Sequence, residues 1–474
     1  MKKLKQPVIG ILLISTPRFH DLGADTEHGF FYRRKELVAD DLCKRLEHAE
    51  LIFPGVVYTR EDLAAAMDAF TKGHADMIFA SFLSWSDDFA WIRFLRDMPP
   101  VPVLFATIVL PKQRFSDSMT EDRFVEFLAA GGLVGSQEAS GSIARFHRPM
   151  LRQVIGPMEK VMEETMRFAR ICALRSELRQ TSFGLLASYN EVMWATYVDP
   201  YALFTEMGPE LRFLSVIQLL DEIDALPEET AEAAMTSILD KYESDGTVKP
   251  DKMRASVAAS LALEKLARRH EVELLVLNDI DVTLLSKVGL RPGFTPCPGT
   301  EDVMVVPEGD IGAGLACYIL NKLSGQPVNF IEPFYINYED DTFAAGHAGP
   351  QDYTNPGSKT LISEDTRFAR TNYRHAGAPF TWNLISAGEK TMVHISQDGS
   401  SFKIAVGVVD ALECEHFLAG YSHGLLKSRI PATEFFGRLL EFGVTQHYAL
   451  TDGNWAGEIA AFADLMGFAC LDLS

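Results

Sequence analysis

The first third of the chain alternates short apolar runs with segments of helical spacing. Val8–Ile14 reads as a buried strand, and Arg33–Glu47 as a helix with Leu37, Val38, Leu42 and Leu46 on one side. Leu51–Phe53 makes a second short run, closed by Pro54 and Gly55. Arg60–Lys72 reads as a helix, and Met77–Ala80 and Val101–Ile108 as strands. Continuous apolar strands separated by helices predict a parallel, doubly wound sheet. Ligands on such sheets bind beyond the carboxyl ends of strands, so Ser15–Gly23 and Ser81–Asp88 are either rim loops of a site or plain connectors.

A long helix over Pro157–Gln180 is predicted by Met158, Val161, Met162, Thr165, Phe168 and Cys172 at helical spacing. A second α/β segment follows, with a polar helix from Pro227, a helix over Pro250–His270 and a strand over Val272–Leu277. Arg291–Gly299 is rich in Pro and Gly and reads as a boundary loop. Asp340–Pro379 is irregular. Two-residue alternation then appears in Thr391–Ser396 and Phe402–Val409, followed by helix Ala432–Phe442, strand Val444–Leu450, helix Trp455–Met466 and a last short strand. The predicted architecture is α/β: two doubly wound parallel-sheet domains over 1–155 and 156–300, then a β-rich, barrel-like C-terminal domain over 301–474.

Composition narrows the partners. Of 474 residues 47% are hydrophobic and 23% charged, as in ordinary folded proteins. The net charge of −21 argues against nucleic acid and anionic membrane as partners. No apolar run approaches the roughly 18 residues of a membrane span. Lys2, Lys3 and Lys5 precede an apolar run, but no small-residue cleavage site follows it, so a first strand is the better reading than a signal peptide. The six cysteines are scattered without a CxxC pair, which argues against a zinc–cysteine site and fits a reducing cytoplasm.

Common catalytic signatures are absent: no GxxxxGK[ST], HExxH, GxSxG or EF-hand loop occurs. The informative region is Val305-Val306-Pro307-Glu308-Gly309-Asp310, followed by a helical stretch to Ser324 and then Gly325. Asp310 suits the N-cap and Gly325 the position just past the C-terminus, which places Glu308 on the turn into a helix. Glu332 follows an apolar run and precedes a proline and two aromatics, where a carboxylate is costly unless paired or ligating. His347 lies between Gly346 and Ala348-Gly349, and His447 in the apolar run Val444–Leu450. Two carboxylates and two imidazoles suit a divalent ion such as Mn²⁺. Spacing leaves the alternative open: a capping or ion-paired Glu308, a Glu332 bound by backbone amides, and two core histidines.

The segments Pro307–Asp310, Asn329–Tyr335, Gly346-His347 and Gln446-His447 resemble, in order and spacing, the metal-site segments of L-arabinose isomerases, within the L-fucose/L-arabinose isomerase group. Weaker likeness extends over Met77–Arg93, Gly135–Gly141 and Arg291-Pro292-Gly293. The resemblance implies a metal-dependent aldose–ketose isomerase acting on a pentose or related sugar. It implies Mn²⁺ held by Glu308, Glu332, His347 and His447, and a homo-trimer or homo-hexamer. Glu308 and Glu332 would share the acid–base work through a cis-enediol, with either as base, and a hydride shift could use the same ligands. Gln137, Ser140 and His20 would lie in the substrate-recognition segments. Ser140 stands where the family carries a histidine, and that difference motivates a rival reading, a non-catalytic sugar-binding sensor; a third reading is a sugar epimerase using the same enediol. Arg367, Arg370, Arg374 and His375 add a basic cluster, read as a solvated loop.

Overall fold

The protein is described from a computed structural model that covers residues 3–26, 29–85, 88–110, 112, 117, 120–287, 293–298, 303–348, 352–355, 357–365, 377–418 and 420–474. Ser86, Asp87, Arg291, Pro292, Gly299 and the cluster Arg367, Arg370, Arg374 and His375 lie outside the described residues. The chain divides into two compact units, Lys5–Ser176 and Glu177–Ser474. The parallel sheet of the central region and the C-terminal strands lie within one of these units.

In the first unit, β1 (Val8–Ile14), β2 (Glu50–Ile52), β3 (Met77–Phe82), β4 (Val103–Ile108) and β5 (Leu151–Gly156) form a parallel sheet in the order β2-β1-β3-β4-β5. Helix Arg60–Lys72 starts with a capping box between Thr59 and Asp62. It packs closely on the sheet: a Cβ at Gly10 would strike the side chains of Ile78 and Phe70. The core joins Leu12, Leu63, Phe70, Trp91, Phe94 and Phe105.

Helix Phe31–Arg45 corrects the apolar face read from sequence. Leu37 is 69% exposed, and the buried positions are Phe31, Lys35, Ala39 and Leu42. Lys35 can face inward because its Nζ donates to the carbonyls of Leu83 and Ala129, at 2.8 and 3.2 Å.

In the second unit, β6 (Ser182–Leu186), β7 (Glu210–Leu214), a two-residue β8 (Glu243-Ser244), β9 (Leu274–Leu277) and β10 (Met304–Val306) come first. All but β8 form a parallel sheet in the order β10-β9-β6-β7. Helix Pro250–Arg269 buries Val257, Leu263 and Leu266.

The remaining strands are β11 (Asn329–Asn337), β12 (Thr342–His347), β13 (Lys359–Glu364), β14 (Pro379–Leu384), β15 (Gly388–Asp398), β16 (Ser401–Leu412), β17 (Ser422–Ser428), β18 (Tyr448–Asp452) and β19 (Ala469–Leu473). Antiparallel pairings run β11-β12-β17-β16-β15-β18 and back to β11, closing a six-stranded barrel. Strand β19 pairs with β16, while β14, β13 and β8 extend outward from β17. Ile331, Phe343, Met392, Val409, Leu426 and Leu450 fill the core of this region. The α/β class with a β-rich C-terminal region is as predicted. Strands β12 and β13, however, occupy part of the stretch expected to be irregular.

All six cysteines are free thiols. Among the described residues, no helix is long and apolar enough to cross a membrane.

Candidate metal centre

The centre stands where the parallel sheet of the second unit meets the barrel. The sheet contributes its strands' carboxyl ends, where chains leaving neighbouring parallel strands diverge and leave room for a ligand. After β10 the chain turns through Pro307 and Glu308 into helix Ile311–Ser324. Asp310 caps that helix by accepting from the Ala313 amide at 2.9 Å, and Gly325 ends it with a φ of 68°.

Glu308 itself has a φ of 65°, in the left-handed region that a residue with a Cβ rarely occupies. The turn is pinned from three sides. The Glu308 amide donates to Asp279 Oδ1 at 2.9 Å, just beyond β9. The Glu308 carbonyl accepts from Asn190 Nδ2 at 3.3 Å, in the loop after β6. The Gly309 amide donates to the Leu277 carbonyl at 3.2 Å. Such strain, of order 1–3 kcal/mol, persists only where the surroundings over-determine it, and it clusters at functional sites.

The barrel supplies the two histidines. His347 is the last residue of β12, and His447 immediately precedes β18. Glu308 Oε1 lies 3.4 Å from His347 Nε2, and Glu308 Oε2 lies 3.5 Å from His447 Nε2. One ligand atom from each of the three residues falls within 4.8 Å of the others, so the group could hold a metal ion. Both imidazoles are buried, and the Phe330 ring packs against them at centroid distances of 4.8 and 4.7 Å.

Asp310 does more than cap. Its Oδ2 accepts from His447 Nδ1 at 2.9 Å, so that in the neutral ring the proton sits on Nδ1 and Nε2 turns its lone pair toward Glu308. That Nε2 is buried and has no hydrogen-bond partner among the described residues. An orphaned, correctly oriented ring nitrogen facing a carboxylate and a second imidazole fits a cation between them.

Without an ion, the same groups hold one another as a buried set of ion pairs. Burial works to raise the Glu308 carboxyl, but the two imidazoles outweigh it and hold the group well below the usual carboxylate range. Burial disfavours the charged form of His347 and lowers it despite the neighbouring Glu308. Burial also opposes a charged His447, yet Asp310 and Glu308 prevail and raise it to about 9.

Glu332 is not among the close group. It pairs in register with Gly346, one residue before His347, and lies one step beyond the Ile331–Tyr448 pair, toward His447. Strand alternation puts it on the same face as Phe330. Its carboxylate charge reaches His347, but its oxygens stand outside the cluster of Glu308, His347 and His447.

One sequence reading of this region changes. His447 lies in the irregular segment just before a strand, because β18 begins only at Tyr448. The glycine before His347 is required by the barrel: a Cβ there would overlap the Ser422 carbonyl of β17.

The three residues expected to recognise substrate all belong to the first unit. Gln137 and Ser140 lie on helix Gly132–Phe146 and not on a loop, since Gly135, Ser136 and Ala139 form a buried helical face. Gln137 is exposed there, and Ser140 Oγ bonds back to the Gln137 carbonyl at 2.7 Å. His20 is bonded to Asp21 at 2.8 Å and stacked on Tyr32 at 4.4 Å.

Sequence reasoning missed Asp279, Asn190 and the second role of Asp310. Asp279 had a readable signal, as a carboxylate two residues beyond an apolar strand. Asp310 was legible as a cap but not as the partner of a residue 137 positions away. Compared with models of known protein families and with curated proteins, the chain matches none.

Proposed function

We propose that the protein is a metal-dependent aldose–ketose isomerase acting on a pentose or related sugar, with Glu308, His347 and His447 as ligands of a Mn²⁺-type ion. The observation that carries this reading is the buried His447 Nε2, which makes no hydrogen bond among the described residues and faces the carboxylate of Glu308 at 3.5 Å, with His347 on the other side of that carboxylate. One carboxylate and two neutral-capable imidazoles suit a borderline divalent cation and leave coordination positions open. The ion, when bound, supplies Lewis-acid stabilisation for the negative charge that develops on the sugar oxygens during proton removal at C2.

The chain's own residues divide the remaining work. Asp310 keeps the proton on His447 Nδ1. Phe330 covers both imidazoles with an apolar ring and keeps water from their flanks. Glu332 stands beside the close group, not within it, and so is the better candidate for the base that takes the proton from C2 and returns it at C1, while a second acid–base group passes the hydroxyl proton from O2 to O1. Both oxygens of Glu308 already face histidines. The same reading brings the homo-trimer or homo-hexamer that the sequence resemblance implies, and sits with the cytoplasmic setting to which the scattered cysteines point.

The test is to strip the protein with a chelator, restore Mn²⁺ and assay a panel of pentoses, hexoses and deoxysugars for ketose formation. Turnover that depends on added metal is the expected result. Absence of bound metal together with absence of turnover would remove the proposal. Tight metal-independent sugar binding without conversion would replace it with a sensor.

A further inference from the structure

The segment that carries His447 is held from behind by a residue that touches neither Glu308 nor His347 in any described contact. His394 lies on β15, the neighbour of β18 in the barrel. The ladder between these strands runs from Lys390–Asp452 to Val393–Ala449 and stops there. At the next position on β15 the imidazole of His394 takes over from the backbone. Its Nδ1 donates to the His447 carbonyl at 2.8 Å, and its Nε2 accepts from the Thr445 amide at 3.4 Å. The carbonyl can only accept and the amide can only donate, so these two contacts define one tautomer of a neutral ring. The ring is almost wholly buried, 1% exposed, and rests 5.4 Å from the Tyr448 ring.

His447 is thus gripped at both ends. Asp310 orients the ring through Nδ1, and His394 fixes the backbone from which that ring projects. A backbone free to shift by a few tenths of an ångström would move Nε2 off the point shared with Glu308 and His347, and metal sites are sensitive to such outer partners. Resting on the metal reading above, we propose that His394 is a positioning residue: it sets where His447 presents Nε2, and so tunes the affinity and coordination geometry of the ion without ligating it.

Two variants test this in the full chain, with Mn²⁺ and Co²⁺ alone as probes. His394→Phe keeps a planar ring and removes both nitrogens; His394→Asn restores a donor near the place of Nδ1. Mn²⁺ affinity by calorimetry is expected to fall in the order wild type, Asn, Phe, with a loss of about 10–100-fold for Phe. The visible absorption of the Co²⁺-saturated protein is expected to change in the same order, because saturation separates altered geometry from mere weakening. Equal affinities and superimposable Co²⁺ spectra in folded variants would overturn the proposal. If the Phe variant does not fold, His394→Leu, which likewise removes both nitrogens, takes its place, and wild-type affinity and Co²⁺ spectrum in it overturn the proposal. A wild-type protein that binds no Mn²⁺ overturns this inference together with the metal reading. One that binds Mn²⁺ but converts no aldose removes only the isomerase reading.

Discussion

Asp310 and His447, 137 positions apart in sequence, share a 2.9 Å hydrogen bond made by the one carboxylate oxygen that the helix cap does not use. A single side chain therefore ties the start of helix Ile311–Ser324 to the barrel segment bearing a candidate ligand. The two duties can be separated. Asp310→Asn keeps a side-chain oxygen for the Ala313 amide, so the metal-free protein should lose less melting temperature than Asp310→Ala does. It puts a neutral amide opposite His447, and Mn²⁺ affinity should fall about 10–100-fold. Asp310→Ala should lose the same affinity and, in addition, about 1 kcal/mol of stability from the missing cap. Calorimetry with Mn²⁺ beside thermal melts of the metal-free protein checks both; unchanged affinity in the Asn variant would separate Asp310 from the metal centre.

Lys35 predicts a pH dependence for the first unit. Burial, and secondarily the charge of Arg34, lowers its pKa from 10.5 to about 8. Between these values the unfolded chain holds a proton that the folded chain has released, so stability rises with pH across about 8 to 10.5. Below 8 the folded state carries the full cost of a buried charge, roughly 3 kcal/mol as an upper figure. Urea unfolding at pH 7, 8, 9 and 10 should show wild type gaining stability relative to Lys35→Met. Parallel curves for the two proteins would refute the assignment.

Gly346 predicts intolerance of the smallest side chain. A Cβ at this position would overlap the Ser422 carbonyl on the adjoining strand, and a backbone cannot give way as a flexible side chain can. Gly346→Ala should cost about 3 kcal/mol or more and displace His347 from Glu308. Soluble yield, thermal melts and Mn²⁺ binding measure the two effects. A variant with wild-type stability would mean that β12 and β17 do not lie this close.

How far the sequence carried these conclusions depended on the range of the forces involved. Helix Ile311–Ser324 was legible at both ends, because an N-cap carboxylate and a glycine at positive φ are local devices. Strand β12 was not, since turn-forming residues surround it and it is held by β11 and β17 on either side. His447 was assigned to a strand because Val444–Leu450 is apolar, yet the His394 imidazole supplants the ladder there. Lys35 was passed over for Leu37 because the carbonyls that receive it come from residues 83 and 129. Glu308, His347 and His447 were each named from sequence, but their convergence was carried by resemblance alone, since nothing local encodes it.

Glu332 is the residue on which ligand and base can be told apart. It lies in register with Gly346 and near His347, yet outside the close group of Glu308, His347 and His447. A group that ligates the ion should, when neutralised, lose binding, as expected for Glu308→Gln. A group that moves the C2 proton should lose turnover while binding persists. Glu332→Gln is therefore expected to hold Mn²⁺ within about 10-fold of wild type, and to lose about 10²–10⁴-fold in kcat, the range for removal of a general base. Exchange of deuterium into the sugar at C2 should disappear with it. If instead Glu332→Gln and Glu308→Gln abolish Mn²⁺ binding alike, Glu332 swings in to complete the coordination, and the proton must be carried by another group.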